Sequence, residues 1–141
     1  MKRRLAREYA FKLIYEAGVQ TDKDSVLLIE DTAREQEFEP DEYIEKAVRG
    51  VSEHKEEIDA LISECAKNWR LERLSMASLW IMRLSVCEML YLDDVPFSVS
   101  INEAVELAKK YDHDKAPKFI NGILNAIAEK KGLKKKPENN G

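Results

Sequence analysis

The stretch from Glu72 to Leu92 constrains the fold most, because apolar residues surround nearly its whole circumference when it is drawn as a helix. A helix that is apolar on all sides is buried, so the other elements must pack around it. Its longest charge-free run, Leu74 to Met82, is far shorter than the roughly 20 apolar residues of a membrane span. We therefore predict a central helix over 72–92, the longest in the chain, which ends before Pro96.

Helical periodicity predicts six further helices, and no run of alternating residues predicts a strand. The predicted segments are Arg3–Ala17, Asp24–Glu37, Asp41–Val51, Lys55–Trp69, a sixth helix that opens at Ser100 and a seventh from Asp114 to Gly132. We expect Gly18 to end the first helix. We expect a capping box of Ser100 and Glu103 at the start of the sixth helix, and Pro117 in the first turn of the seventh.

These elements predict an all-α fold with seven helices, in two packed sub-bundles that share the long central helix. Only five glycines and four prolines occur among the 141 residues, which agrees with a chain that has few turns. We expect a single domain over residues 1–132 and a disordered tail over 133–141, where lysines, asparagines and a proline follow Gly132.

Few residues in the chain are suited to catalysis or to metal binding. Cys65 and Cys87 are far apart with no CxxC motif, and His54 and His113 have no neighbouring ligand cluster. Phosphate-loop, dinucleotide, zinc-protease, esterase and calcium-loop motifs are absent from the sequence. We therefore expect no catalytic, cofactor or metal site. Two free thiols and the lack of a secretory signal pattern favour a cytoplasmic protein without a membrane partner.

The net charge of −4 conceals a segregation along the chain. Residues 22–64 hold fifteen acidic and five basic residues, so the remainder of the chain is basic on balance. The first fifteen residues hold one acid, Glu8, and five bases: Lys2, Arg3, Arg4, Arg7 and Lys12. A basic segment in an acidic protein indicates a surface that faces a polyanion, or alternatively a solubilising tail.

The first helix carries an aromatic residue on its charged side. At 100° per residue, Tyr15 lies only about 20° from Arg4, whereas Tyr9, Ala10 and Leu13 lie on the opposite side. An exposed ring among cations suits single-stranded nucleic acid, because the ring stacks on an unpaired base while the cations contact phosphates. Packing of the ring against a neighbouring helix is an equally valid interpretation of the geometry.

The seventh helix offers a second such strip. Phe119 lies at the edge of its apolar stripe, next to Lys115 and Gly122. A glycine inside a helix is unfavourable by about 0.5–1 kcal/mol relative to alanine, so we expect either a close helix contact or a ligand at Gly122.

Three groups of motifs in this sequence resemble those of the NusB family of bacterial transcription antitermination factors. The most specific is the ordered pair NEAVELAKKY at Asn102–Tyr111 and KFINGIL at Lys118–Leu124. The middle of the chain also matches through Arg73–Ser75, Arg83–Leu84, Glu88–Tyr91 and Val95–Pro96, and the start matches through Arg3–Glu8 and Leu13–Tyr15. The resemblance covers about residues 3 to 128.

The resemblance implies an all-helical, non-catalytic RNA-binding adaptor. Family members pair with NusE, a small-subunit ribosomal protein, bind the single-stranded boxA sequence of ribosomal RNA leaders, and act on the RNA polymerase elongation complex. Applied to this chain, it predicts an RNA site at the N-terminus, Tyr15 and the KFxNG helix. Together with the charge pattern, the predicted RNA-binding residues are Lys2, Arg3, Arg4, Arg7, Lys12, Tyr15, Lys115, Lys118 and Phe119.

Two other functions stay open at this point. One is a NusB-like RNA-binding module of the kind fused to ribosomal RNA cytosine methyltransferases, although no cofactor loop follows the helices. The other is a helical scaffold without RNA affinity. The acidic segment 22–64 is either a solvated face or a docking surface for a basic ribosomal protein. The oligomeric state of the free protein is also open.

Overall fold

The computed structural model of the chain describes residues 1–19, 25–36, 39, 41–67 and 74–135. These residues form seven α-helices, and the described part of the chain contains no strand. In chain order the helices are α1 Arg3–Val19, α2 Ser25–Glu35, α3 Glu42–Glu53, α4 Lys55–Cys65, α5 Met76–Tyr91, α6 Phe97–Tyr111 and α7 Ala116–Lys130. The predicted all-α, seven-helix fold is confirmed.

Helix α5 lies at the centre of two groups of helices. It packs against α1 and α3 of one group and against α4, α6 and α7 of the other. Twelve of its sixteen residues are buried, from Ser78 to Met89. This burial agrees with the apolar character of all its faces. The predicted pair of sub-bundles is therefore α1–α3 and α4, α6 and α7, with α5 shared between them.

Several predicted helix ends differ from the structure. Helix α5 begins after Ser75, whose hydroxyl accepts the amide N–H of Ser78, and with 16 residues it is one residue shorter than α1. Helix α4 ends at Cys65, and Lys67 adopts a left-handed conformation with φ of 50°. Glycine usually takes this conformation after a helix. Because a lysine takes it here, the sequence gives no signal for the helix end. The predicted ends at Asp24, Glu37, Trp69 and Glu72 lie outside the described residues.

Gly18 does not end the first helix, which continues to Val19. A Cβ atom built on Gly18 would lie 1.9 Å from Cζ2 of Trp80, so the glycine allows the indole ring of α5 to pack directly against the α1 backbone. At Gly122, in contrast, no neighbouring group among the described residues comes within 4 Å of the place that a Cβ atom would take. The expected close helix contact at Gly122 is therefore wrong, and the close contact occurs at Gly18.

The predicted capping box of the sixth helix is also wrong. Helix α6 begins three residues earlier, at Phe97, with Pro96 as its N-cap residue. Ser100 is fully buried, and its hydroxyl donates to Glu88 Oε1 at 2.9 Å. The Glu103 carboxylate accepts hydrogen bonds from Arg4 of α1. Both side chains thus bind other helices instead of the backbone of α6.

The C-terminal part agrees with the sequence as far as it is described. Pro117 lies in the first turn of α7, and Gly132 follows the helix with φ of 73°. Residues Leu133–Lys135 form a short 3-10 turn, and Leu133 packs against the core. These are the first three residues of the predicted tail, and residues 136–141 lie outside the described part.

Candidate nucleic-acid interface

The outer face of α1 carries most of the predicted site. Ala6, Ala10, Leu13 and Ile14 are buried, and this burial turns Arg4, Lys12 and Tyr15 outward. Tyr15 is 37% exposed, which confirms its predicted place on the charged face. The buried face is shifted relative to the predicted one, because Phe11 is also buried while Tyr9 is only half-buried.

An aromatic groove runs beside Tyr15, between α1, the start of α5 and the end of α6. It has a volume of about 320 Å³ and is lined by Phe11, Lys12, Tyr15, Ala77 and Tyr111. The Phe11 ring lies 6.1 Å from the Tyr15 ring in an edge-to-face arrangement and 5.3 Å from the Tyr111 ring. The ammonium group of Lys12 lies 5.8 Å from the centroid of Tyr111. A planar ring and a negative charge can both be bound at such a groove.

Phe11, Ala77 and Tyr111 were not among the predicted site residues. Tyr111 lies in the NEAVELAKKY motif, so the family resemblance pointed to its segment. Its contact with Phe11 joins residues one hundred positions apart in the chain. Only the packing of α6 against α1 brings these rings together.

The predicted strip on α7 is connected to the aromatic groove through the α6–α7 turn. Lys115 and Lys118 are exposed, and Phe119 is half-buried. The His113 ring lies 6.1 Å from the Phe119 ring, with an angle of 27° between the planes. His113 is only two residues beyond Tyr111, so one short segment contributes to both parts of the surface.

Asp112 attaches this turn to the start of α5. Its carboxylate accepts hydrogen bonds from the hydroxyl groups of Ser75 and Ser78 and from the backbone N–H of His113. The Asp112 side chain is only 4% exposed. The two serines and the aspartate therefore set the position of the turn that carries His113 and Tyr111.

Arg7 does not belong to the exposed surface, which corrects the prediction that it faces RNA. Its side chain is 4% exposed, and its Nε donates to Glu88 Oε2 at 2.8 Å. The hydroxyl of Tyr43 donates to the same oxygen at 2.7 Å. With Ser100 on the other oxygen, the Glu88 carboxylate joins α1, α3, α5 and α6. Burial and the Glu88 charge raise the pKa of Tyr43 well above its ordinary value, so its hydroxyl stays protonated.

Two exposed arginines of α1 pair with acids from other elements, and one acid of α1 pairs with a lysine of α6. Arg3 Nη2 lies 3.2 Å from Asp94 Oδ2, in the turn after α5. Arg4 forms a two-point ion pair with Glu103 of α6, with Nη2 to Oε1 at 2.9 Å and Nε to Oε2 at 3.1 Å. Glu8 accepts hydrogen bonds from Lys110 and, at 2.6 Å, from the Tyr111 hydroxyl. Lys2 is exposed at the start of the chain.

The described residues hold no group of three histidines, cysteines or acids that could bind a metal ion. None of the described helices has the length and apolar character that a bilayer span requires. The surface does contain aromatic rings beside the exposed Lys12, at the junction of α1, α5 and α6. This geometry defines a class of protein: an all-helical protein whose surface is suited to an unpaired nucleic-acid strand.

Comparison with known proteins identifies the family. Residues 4–129 match the NusB family model. The chain is 47% identical over 128 residues to the transcription antitermination protein NusB of Listeria monocytogenes, covering 91% of this chain and 97% of that protein. It is 41% identical over 129 residues to the protein of the same name from Bacillus mycoides, covering 92% and 98%.

Solved structures agree with this result. The structure of NusB from T. maritima superposes with a TM-score of 0.85 and 33% identity, covering 96% of this chain and 99% of that one. A crystal structure of antitermination factors NusB and NusE in complex with dsRNA matches with a TM-score of 0.80 and 30% identity, covering 92% and 99%. The chain belongs to the NusB family, as its motifs predicted.

Proposed function

We propose that this chain is a transcription antitermination factor that binds the boxA leader RNA of ribosomal RNA operons together with NusE. It acts in the cytoplasm as a non-catalytic adaptor, and it reaches the RNA polymerase elongation complex through the assembled RNA and protein. Family membership and the relative solved with NusE and RNA support the adaptor role. The aromatic groove beside Lys12 is the observation that supports direct RNA binding by this chain.

The surface favours a single strand over a duplex. Bases of a duplex are stacked inside it, whereas unpaired bases can stack on protein rings. In this proposal Tyr15 and Tyr111 hold a base at the aromatic groove, and Lys2, Arg3 and Lys12 contact phosphates. Lys115, Lys118 and Phe119 extend the path along α7. Arg7 acts through the core and does not contact RNA.

Binding of labelled boxA RNA, with and without NusE, tests the adaptor role. We expect NusE to raise the affinity, and equal affinity in both mixtures would argue against an adaptor. A scrambled RNA of equal length serves as the sequence control. No binding of either RNA, with NusE present at about 0.1 M salt, favours the alternative of a helical scaffold without RNA affinity. Binding without a NusE effect favours a general RNA-binding module like those of the methyltransferases.

Substitution of Tyr15 and Lys12 tests the site. Stacking contributes about 1–3 kcal/mol per base, so Tyr15→Ala should weaken binding about 5- to 150-fold with little change in the salt dependence. Tyr15→Phe keeps the ring and should bind almost as the parent protein does. Lys12→Gln should instead reduce the slope of log affinity against log salt by about 0.7.

A matched control for Lys12 is Lys131→Gln. Lys131 is exposed, and it follows the last turn of α7, about 18 Å along the helix from Phe119. We expect this control to keep the parent affinity and slope. If Tyr15→Ala and Lys12→Gln also keep them with NusE present, the α1 site is wrong.

A further inference from the structure

The two side chains of the Arg4–Glu103 ion pair differ in solvent exposure. The Arg4 side chain is 71% exposed, whereas the Glu103 side chain is 15% exposed. Beneath it, Nη1 of the buried Arg7 lies 3.8 Å from Glu103 Oε2. The carboxylate is thus held from the protein side, and Arg4 is the partner that can move away into solvent.

The pair lies in a groove between α1 and α6 that is distinct from the aromatic groove. This ion-pair groove has a volume of about 310 Å³, and its lining includes Arg4, Glu8, Glu103, Glu106 and Lys110. Three acidic and four basic side chains line this groove, so a strand of phosphates meets repelling carboxylates as well as cations. The hydrogen bond to Glu103 also raises the pKa of Arg4.

A phosphate that approaches Arg4 has to compete with a carboxylate already bound at two points. The Nε and Nη2 atoms, which form the edge best suited to bidentate binding of an oxyanion, are occupied by Glu103. The other pairs of the N-terminal region are weaker competitors. Arg3 meets Asp94 at one point, and both side chains are largely exposed.

We propose that Glu103 is a specificity-determining residue that neutralises Arg4 and so keeps the affinity of this surface for unrelated polyanions low. Charge alone carries no sequence information, so an unpaired Arg4 would attract any polyanion. Discrimination against wrong partners is often built from such unfavourable elements. The inference rests on the proposed RNA-binding function, because it concerns the same surface.

Glu103→Gln tests the inference with heparin and with a scrambled single-stranded RNA, in the full chain with NusE. We expect the affinity for both polyanions to rise about two- to fivefold, the range that one exposed ion pair allows. The slope of log affinity against log salt should steepen by about 0.7, because Arg4 becomes an additional phosphate contact. The affinity for boxA RNA should rise by no more than the same factor.

Glu106→Gln is the matched control. Glu106 lies one turn further along α6, lines the same groove and pairs with Lys109 instead of Arg4. It removes the same charge without releasing Arg4, so we expect a smaller rise and an unchanged slope. An equal rise in both variants would mean a general effect of net charge and would overturn the inference.

A double-mutant cycle isolates the pair. Arg4→Gln should lower polyanion affinity more in the Glu103→Gln background than in the parent protein. Additive effects of the two substitutions would contradict the inference. Weaker polyanion binding by Glu103→Gln would also contradict it, because it would mean that Glu103 orients Arg4 for RNA.

Arg4→Lys provides a variant that leaves Glu103 and its contact with Arg7 in place. Lysine keeps the charge but loses the two-point geometry toward carboxylate and phosphate alike, so Glu103→Gln should raise polyanion affinity less in this background than in the parent protein. An equal rise in both backgrounds would contradict the inference. Failure of the parent protein to bind boxA RNA in the same assay would instead refute the proposed function, which keeps the two results distinguishable.

Discussion

Arg7 and Tyr15 show how different two residues of one helix can be in a structure. They are about 80° apart around α1, yet Arg7 is 3% exposed and Tyr15 is 37% exposed. Arg7 is tolerated in the core because Glu88 provides a charged partner at 2.8 Å. A basic residue in a basic segment therefore does not by itself indicate a surface contact.

Substitution of Arg7 checks its structural role. Removing one partner of a buried ion pair leaves the other charge uncompensated, so Arg7→Ala should lower the free energy of unfolding by about 3–5 kcal/mol. Urea denaturation followed by circular dichroism measures the loss. Arg3→Ala, whose ion pair is exposed, should change the stability little. Equal stability of the two variants would place Arg7 outside the core network.

At the scale of helices, the two glycines of α1 and α7 have opposite surroundings. Trp80 of α5 is 6% exposed and occupies the space beside Gly18. Gly122 is exposed on α7. The sequence pattern suggested a helix end at the first and a close contact at the second, because the spacing of apolar residues does not reveal which face a bulky neighbour will cover.

Alanine substitution of the two glycines gives opposite predictions. Gly18→Ala should destabilise the protein by about 1–3 kcal/mol, because its Cβ overlaps the Trp80 ring. Gly122→Ala should stabilise it by about 0.5–1 kcal/mol, because alanine favours the helix and the described structure leaves room for the methyl group. Thermal unfolding of both variants measures the effects. A change of the same sign in both would contradict this account of α1 packing.

In the molecule as a whole, long-range ion pairs modify the charge segregation seen along the chain. Arg3 and Arg4 of α1 pair with Asp94 and Glu103, respectively, which belong to other segments. Glu8 of α1 pairs with Lys110 of α6. The basic N-terminus is consequently not a free cationic tail. These pairs also connect α1 with the turn after α5 and with α6, so they contribute to the association of the two sub-bundles.

Glu8 makes the stability of the molecule depend on acidic pH. Hydrogen bonds from Lys110 and Tyr111 hold the pKa of the Glu8 carboxyl below its ordinary value of 4.5. The unfolded state therefore binds the proton more readily than the folded state. The stabilisation is present above about pH 4.5 and is lost as the pH falls through the lower pKa of the folded protein.

We expect Glu8→Gln to lower the stability at neutral pH and to make the loss of stability on acidification smaller than in the parent protein. Urea denaturation at about pH 7, 5 and 3 measures both effects. Glu16→Gln removes one carboxylate from the same helix and serves as the control. Identical pH profiles of the two variants would contradict a role for the Glu8 contacts.

The sequence by itself determined the seven helices, the central position of α5, the start and end of α7, and the family. These properties depend on residues close together in the chain: apolar spacing, Pro117 in a first turn, Gly132 after a last turn, and contiguous motifs. Each of these signals lies within a short stretch of the chain and needs no knowledge of how the helices pack.

Only the tertiary structure decided which polar side chains meet. It buried Arg7 against Glu88, directed Ser100 and Glu103 to other helices, and brought Tyr111 to Phe11 and Tyr15. Each of these contacts joins distant parts of the chain, and each depends on how the faces of two helices are oriented toward one another. A helical pattern predicts which face of a helix is apolar, but the partner across that face is chosen by the packing of the whole molecule.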